Sequence, residues 1–77
     1  METLIQIKLF ATLRQFAPPD ADKYRIEPGM SIQNLLKQLG IPEKKAKLVF
    51  VNGVKVNLTA VLNGGERVGM FPPVGGG

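Results

Sequence analysis

The segment SIQNLLKQLG, residues 31–40, decides the fold because it predicts the clearest α-helix in the sequence. Ser31 is a suitable N-cap, since its hydroxyl oxygen can accept a hydrogen bond from a backbone N–H of the first turn that has no helical partner. Gly40 suits the left-handed position just after a helix, and Pro42 prevents the helix from continuing. The apolar residues between these limits recur at helical spacing and form one stripe: Ile32, Leu35, Leu36 and Leu39.

The segment before this helix predicts two strands joined by a short helical turn. Residues 4–9 alternate between apolar and polar side chains, which is typical of a strand with one buried face. Residues 11–16 predict the helical turn, and residues 24–27 predict a short second strand that is antiparallel to the first. Pro28-Gly29 then breaks the chain. The first-strand residues predicted to face the core are Ile5, Ile7 and Leu9.

The segment after the helix predicts a β-hairpin at residues 48–56. Its centre is Asn52-Gly53, the pair preferred in two-residue type I′ turns because both positions take positive φ. In that register Val51 faces Val54 across the ladder, on the same face as Val49 and Val56. The side chains predicted to lie on the other face are Leu48, Phe50 and Lys55.

Residues 67–71 predict the last strand, which follows a turn at residues 63–65. If Val68 and Met70 point into the core, Phe71 points outward. The helix then supplies the long crossover that parallel pairing of the first and last strands requires. The predicted fold class is therefore α+β, a ubiquitin-like β-grasp fold in which one main helix packs on one face of a mixed sheet.

The composition excludes several classes of enzyme. The 77 residues include no cysteine and no histidine, so disulfides, thiolate-bound metals and the usual nucleophilic triads are excluded, and no metal site is expected. No segment approaches the roughly 20 apolar residues of a membrane span, and the N-terminal segment is too polar for a signal peptide. These features predict a cytoplasmic protein that does not act at a membrane.

The net charge of +4 raises the alternative of a small basic nucleic-acid-binding domain. Most basic residues are scattered, and no aromatic residue is interleaved with the run at Lys44, Lys45 and Lys47 to form a base-stacking platform. We therefore interpret the run as a solvated loop or helix end and expect no nucleic acid as partner. Arg14 is similarly interpreted as solvated. The alternative is that Arg14 binds an acidic group of a partner.

The last seven residues, FPPVGGG, predict a working tail. Pro72 and Pro73 favour an extended backbone that holds the tail away from the domain, and residues 73–77 would reach roughly 16 Å when extended. Val74 offers an apolar contact partway along, and glycines without a Cβ fit a narrow channel. We therefore divide the chain into a domain at residues 1–71 and a flexible Gly-Gly tail at residues 72–77. The alternative is a disordered terminus or a linker remnant.

Three stretches resemble the MoaD/ThiS family of sulfur carriers, and within it most closely MoaD, the small subunit of molybdopterin synthase. They are LFATLR at residues 9–14, Val51-Asn52-Gly53 in the hairpin, and FPPV followed by the terminal glycines. The resemblance covers essentially the whole chain. Two positions depart from it, since members often have alanine in place of Gly75 and an acidic residue in place of Gly65.

The resemblance implies a non-catalytic carrier. An adenylating enzyme similar to ubiquitin-activating proteins would use ATP to adenylate the carboxylate of Gly77, and a sulfur donor would convert it to a thiocarboxylate. A large synthase subunit, MoaE, would then use that sulfur to form the dithiolene of molybdopterin. Gly75 and Gly76 would let the tail thread into both active sites, and the carrier would hold no permanent cofactor. A ThiS-like carrier for thiamine synthesis and a ubiquitin-like protein modifier stay open, as does a passive ubiquitin-like interaction module.

A second set of site residues is predicted to bind the larger partner. An outward apolar patch would be formed by Phe71, Phe50 and Leu48. Equally, one or more of these side chains would pack in the core or under a loop, because a register slip of one residue turns every side chain to the other face. The residues committed to partner binding are Phe71, Pro72, Pro73, Val74 and Phe50.

Overall fold

The computed structural model describes residues 3–73 of the chain. Seven strands and one α-helix follow one another in this part, together with three short 3-10 helices. The strands are β1 (Leu4–Leu9), β2 (Tyr24–Arg25), β3 (Met30–Ser31), β4 (Leu48–Val51), β5 (Val54–Val56), β6 (Val61–Leu62) and β7 (Arg67–Phe71). The α-helix is α1 (Ile32–Leu39), and the 3-10 helices are Ala11–Phe16, Ala21–Lys23 and Glu43–Lys45.

The main sheet has five strands in the order β2-β1-β7-β4-β5. The first and last strands, β1 and β7, pair in parallel, and the other neighbours pair antiparallel. This arrangement confirms the predicted β-grasp fold, in which the segment between β1 and β7 supplies the crossover. β2 is shorter than predicted because the chain leaves the ladder after Arg25, although the backbone N–H of Ile26 still donates to the carbonyl of Thr3 at 2.9 Å.

A second sheet of two short strands, β3 and β6, was not predicted from the sequence. It pairs Met30 with Leu62 and Ser31 with Val61. Two further backbone hydrogen bonds, from Ile32 to Ala60 at 2.9 Å and from Gln33 to Leu58 at 3.0 Å, join the first turn of α1 to the segment before β6. This small sheet therefore fixes the position where the helix begins.

The core lies between α1 and one face of the main sheet. The predicted helix stripe is confirmed, since Ile32, Leu35 and Leu36 are fully buried and Leu39 is half-buried. Within residues 3–73, no buried polar side chain interrupts this core. The sheet contributes alternate residues, as the period-two pattern predicts: Ile5, Ile7, Leu9, Val49, Val68 and Met70. The described helices include none that is long and apolar enough to cross a membrane.

The predicted helix limits are confirmed by their geometry. The Ser31 hydroxyl oxygen accepts a hydrogen bond from the backbone N–H of Asn34 at 3.1 Å. Gly40 has a φ of 76°, and its N–H donates to carbonyls of the last turn. Near the same C-terminal end of the helix, the hydroxyl of Tyr24 donates to the side-chain oxygen of Gln38 at 3.1 Å. Partial burial, with a smaller contribution from the charge of Asp20, raises the pKa of that hydroxyl.

Replacing the N-cap residue tests this limit of the helix. We expect Ser31→Ala to lower the free energy of unfolding by about 1 kcal/mol, because the Asn34 N–H loses its acceptor. Urea unfolding followed by circular dichroism measures the change. Ser31→Asp keeps an acceptor oxygen and should stay close to the wild type. Equal losses in both variants would show that the cap does not contribute as described.

Candidate functional site

Three phenylalanine rings meet on the face of the main sheet that α1 does not cover. The rings of Phe10 and Phe71 stack in parallel planes with centroids 4.2 Å apart. Phe50 approaches Phe71 edge-on, with a centroid distance of 5.6 Å. Phe50 and Phe71 are half-buried, and Phe10 keeps 39% of its surface exposed. The rings thus form a small outward aromatic cluster that is separate from the core.

Strand register brings this cluster together. Phe50 lies opposite Gly69 of β7, and Leu48 lies opposite Phe71. On the other side of β7, the backbone N–H of Phe10 donates to the carbonyl of Met70 at 3.2 Å, which places its ring beside that of Phe71. Ala11 then takes a φ of 53°, uncommon for a residue with a Cβ, where the chain turns from β1 into the 3-10 helix.

The orientations of Phe71 and Phe50 agree with the sequence predictions, and their partner-binding role stays a prediction. Neither side chain belongs to the core, whereas their neighbours Val49 and Met70 do. Phe10 was not proposed as a site residue, although it lies in the LFATLR stretch. Its signal was the continued alternation of β1, which places position 10 on the same face as Lys8.

A shallow groove of about 300 Å³ lies on this face and is lined by the rings of the cluster. Gly69 lies next to the stacked rings of Phe10 and Phe71. The cationic side chains of Lys8 and Arg67 line the same groove. No acidic residue is among those that line it: Lys8, Phe10, Phe50, Gly53, Arg67, Val68, Gly69 and Phe71. The groove is therefore apolar within and basic at its margin.

Two turns support the strands that carry the cluster. Asn52 and Gly53 have φ values of 52° and 83°, which confirms the predicted type I′ turn. The Asn52 side-chain oxygen also accepts the backbone N–H of Arg67 at 3.0 Å, so the hairpin turn is bound to β7. Before β7, the carboxylate of Glu66 accepts the backbone N–H groups of Asn63 and Gly64 at 2.8 and 2.7 Å. Glu66 thus stabilises the turn that contains Gly65.

After β7, the chain leaves the sheet beside the C-terminal end of β1, because the two strands are parallel. Pro72 is half-buried and Pro73 is exposed. Both line a second shallow pocket, together with residues of the 3-10 helix Ala11–Phe16 and with Lys45. The other tail residues named from the sequence lie outside the described residues, and their roles stay predictions: Val74, Gly75, Gly76 and Gly77. The division of the chain at residue 71 stays a prediction for the same reason.

Arg14 and the lysine run noted in the sequence are not among the residues that line the groove. Lys44 and Lys45 are exposed in the 3-10 helix Glu43–Lys45, and Lys47 is exposed after it, in agreement with a solvated helix end. Arg14 is exposed in the 3-10 helix Ala11–Phe16. Within residues 3–73, no group of three or more potential ligands from His, Cys, Asp and Glu is placed to hold a metal ion.

Comparisons with known proteins agree with this fold. The model of the ThiS family matches residues 7–77. A solution structure of the Haloferax volcanii HVO 2177 protein is 23% identical, with a TM-score of 0.76, covering 97% of this chain and 87% of the other. A candidate molybdopterin converting factor, subunit 1, from Pyrococcus furiosus is 28% identical, with a TM-score of 0.63 and coverage of 94% and 99%.

Haloferax volcanii SAMP1, a crystal structure, is 22% identical, with a TM-score of 0.63, covering 95% of this chain and 98% of the other. The two matches below 25% identity show the shared fold alone. No curated protein matches the chain significantly. The family match extends from β1 to the terminal glycines, and it identifies the chain as a member of the ThiS family of small sulfur-carrier and ubiquitin-like proteins.

Proposed function

We propose that the chain is the small, sulfur-carrying subunit of a molybdopterin synthase, and that the carboxylate of Gly77 carries the sulfur. The observation that carries this proposal is the position of β7. This strand lies in the middle of the sheet, ends at Phe71 beside the outward aromatic cluster, and continues directly into Pro72 and Pro73. A partner that binds the cluster would therefore hold the start of the tail next to its own surface. The 28% identical Pyrococcus furiosus protein supports the assignment to this pathway.

The proposed chemistry takes place at the terminal carboxylate. A carboxylate oxygen of Gly77 attacks the α-phosphorus of ATP in an activating enzyme, and pyrophosphate leaves. The terminal sulfur of a donor persulfide then attacks the acyl carbon and displaces AMP, and a thiol cleaves the acyl disulfide so formed, which leaves the thiocarboxylate and a disulfide. In the large synthase subunit this sulfur passes to the pterin precursor. ATP is thus used by the activating enzyme, and no cofactor is bound permanently by the carrier.

The side chains of the carrier would position the tail without taking part in the reaction. Phe50 and Phe71 would bind the partner, and Pro72 and Pro73 would direct the chain away from the sheet. Val74 would make an apolar contact partway along the tail, while Gly75 and Gly76 would pass through a narrow channel because they lack a Cβ. The sequence contains neither histidine nor cysteine, which suits a carrier whose only reactive group is the carboxylate.

Mass spectrometry of the intact chain tests this proposal. After incubation with the activating enzyme from the same organism, ATP and a sulfur donor, we expect the mass to rise by the difference between sulfur and oxygen, and fragmentation should place the change at Gly77. A parallel incubation without ATP should leave the mass unchanged. An unchanged mass in the complete mixture would contradict the proposal.

The partner that co-purifies with the chain separates the pathways. A large synthase subunit would support molybdopterin synthesis, whereas a thiazole-forming enzyme would assign the same thiocarboxylate to thiamine synthesis. Isopeptide conjugates to lysines of other proteins would indicate a protein modifier. Binding to DNA or RNA that weakens steeply with salt, and that does not depend on the terminal glycines, would instead favour the nucleic-acid-binding alternative.

A further inference from the structure

Two asparagines of the chain are followed directly by glycine, in the pairs Asn52-Gly53 and Asn63-Gly64. In such a pair the backbone nitrogen of the glycine can attack Cγ of the asparagine side chain, because glycine has no side chain that hinders the approach. The other asparagines of the sequence precede leucine. Both Asn-Gly pairs are exposed connections between strands, so only their surroundings in the fold distinguish them.

A carboxylate binds the nucleophilic nitrogen of the second pair. The backbone N–H of Gly64 donates to Oε1 of Glu66 at 2.7 Å, and the N–H of Asn63 donates to Oε2 at 2.8 Å. The attack requires the Gly64 nitrogen to give up its proton, and a neighbouring negative charge opposes formation of the resulting anion. Glu66 therefore keeps this nitrogen unreactive.

The first pair has the opposite surroundings. Within residues 3–73, no hydrogen bond engages the N–H of Gly53, and a Cβ there would meet only its chain neighbours within 4 Å. Oδ1 of Asn52 accepts the backbone N–H of Arg67 at 3.0 Å, and such a donor stabilises the negative charge that this oxygen gains when Cγ is attacked. Arg67 lines the same shallow pocket as the pair, and its positive charge favours the deprotonated nitrogen.

We propose that Asn52 is a site of spontaneous modification, and that Glu66 protects Asn63 from the same reaction. The Gly53 nitrogen loses its proton to solvent and forms a bond to Cγ of Asn52. The bond from Cγ to the amide nitrogen breaks, and that nitrogen takes a proton from solvent and leaves as ammonia. Water then opens the cyclic imide. Addition at Cγ gives aspartate, whereas addition at the backbone carbonyl carbon of residue 52 gives isoaspartate.

Isoaspartate would change the hairpin, because its backbone passes through the side-chain carbon and is one carbon atom longer. The two-residue turn fixes the pairing of Val51 with Val54. Asn52 also joins the turn to β7, since its N–H donates to the carbonyl of Arg67 at 2.8 Å and its Oδ1 accepts the Arg67 N–H. The longer backbone would not keep both bonds, so the modification would loosen the hairpin from the central strand.

Incubation of the full-length chain in warm, mildly alkaline buffer tests the proposal. Each event raises the mass by the difference between water and ammonia, and electron-transfer fragmentation locates the change and separates aspartate from isoaspartate. In the folded chain we expect Asn52 to react at least about five times faster than Asn63, because the neighbouring charges have opposite signs. In urea, where these surroundings are lost, the two pairs should react at similar rates.

Two variants that each remove one charge provide matched controls. Glu66→Gln removes the carboxylate beside Gly64 and should raise the rate at Asn63 without raising that at Asn52. Arg67→Gln keeps the backbone donor, removes the positive charge, and should lower the rate at Asn52. Circular dichroism checks that both variants are folded.

The modified chains carry one more negative charge and can be separated by ion exchange. We expect the isoaspartate fraction to unfold at a midpoint lower by a few degrees, because the turn loses its contact with β7. Asn52→Asp reproduces the other product. Its carboxylate keeps an acceptor for the Arg67 N–H, so its midpoint should stay close to that of the wild type.

Several results would overturn the proposal. They are a rate at Asn63 that equals or exceeds the rate at Asn52 in the folded chain, reaction at Asn52 only after unfolding, or unchanged rates in Glu66→Gln and Arg67→Gln. An isoaspartate fraction as stable as the wild type would contradict the effect on the hairpin. The incubation contains no activating enzyme, ATP or sulfur donor, so these results are independent of the proposed function.

Discussion

A chain shortened by its last two residues, Gly76 and Gly77, is expected to fold normally and to lose sulfur transfer completely. The domain should be unaffected, because the described core lies within residues 5–70 and its last strand ends at Phe71. The reaction should stop, because the shortened tail presents a different carboxylate that ends two residues short of the activating site, roughly 7 Å along an extended chain. Thermal unfolding and the yield of thiocarboxylate, measured by mass spectrometry, check the two parts of the prediction.

The matched control for this truncation is Gly75→Ala. It adds a methyl group to the tail but keeps its length and its terminal carboxylate, so it should lower sulfur transfer only in part, by crowding the channel, whereas the truncation abolishes it. A shortened chain that still forms product in a reconstituted synthase would contradict the assigned role of Gly77. Loss of activity in both variants, with unchanged folding, would instead show that the width of the tail matters as much as its length.

Truncation of the helix stripe is expected to have the largest effect on stability. Leu36 is fully buried between α1 and the sheet, and we expect Leu36→Ala to lower the free energy of unfolding by about 3–5 kcal/mol. A domain of this size has a total stability of only about 4–12 kcal/mol. The variant should therefore be partly unfolded at moderate temperature. Urea unfolding at low temperature, followed by circular dichroism, measures the loss.

Lys37→Ala is the control on the exposed side of the same helix. Lys37 is the next residue but lies in solvent, so its removal should change the free energy of unfolding by no more than about 0.5 kcal/mol. If the two substitutions cost the same, the stripe would not be the main contact between the helix and the sheet.

The parts of the fold with local signals could be predicted from the sequence. α1 is limited by Ser31 and Gly40, which act within one or two turns of their own positions. The hairpin register follows from Asn52-Gly53, since a two-residue turn leaves one way to pair the strands. The outward direction of Phe50 follows from that register, and that of Phe71 from the burial of Met70 beside it.

The parts that depend on distant pairing could not be predicted. β3 and β6 are each two residues long, which is too short to show a period of alternating side chains. The partner of each strand also lies about thirty positions away in the sequence, as in the pair Met30–Leu62. The aromatic cluster needs three strands side by side, so Phe10 joins it only once β1 is known to be next to β7. The position of Gly69 next to the rings could not be predicted either, because Phe10 is distant from it in the sequence.

The parallel pairing of β1 and β7 also has a mechanical consequence. β7 is hydrogen-bonded on both sides, to β1 and to β4. A partner that pulls on the tail would load these two ladders along their length, so many hydrogen bonds would have to break together instead of one after another. The strand next to the tail would therefore act as an anchor against tension, and the domain would stay folded if its terminus were drawn into another protein.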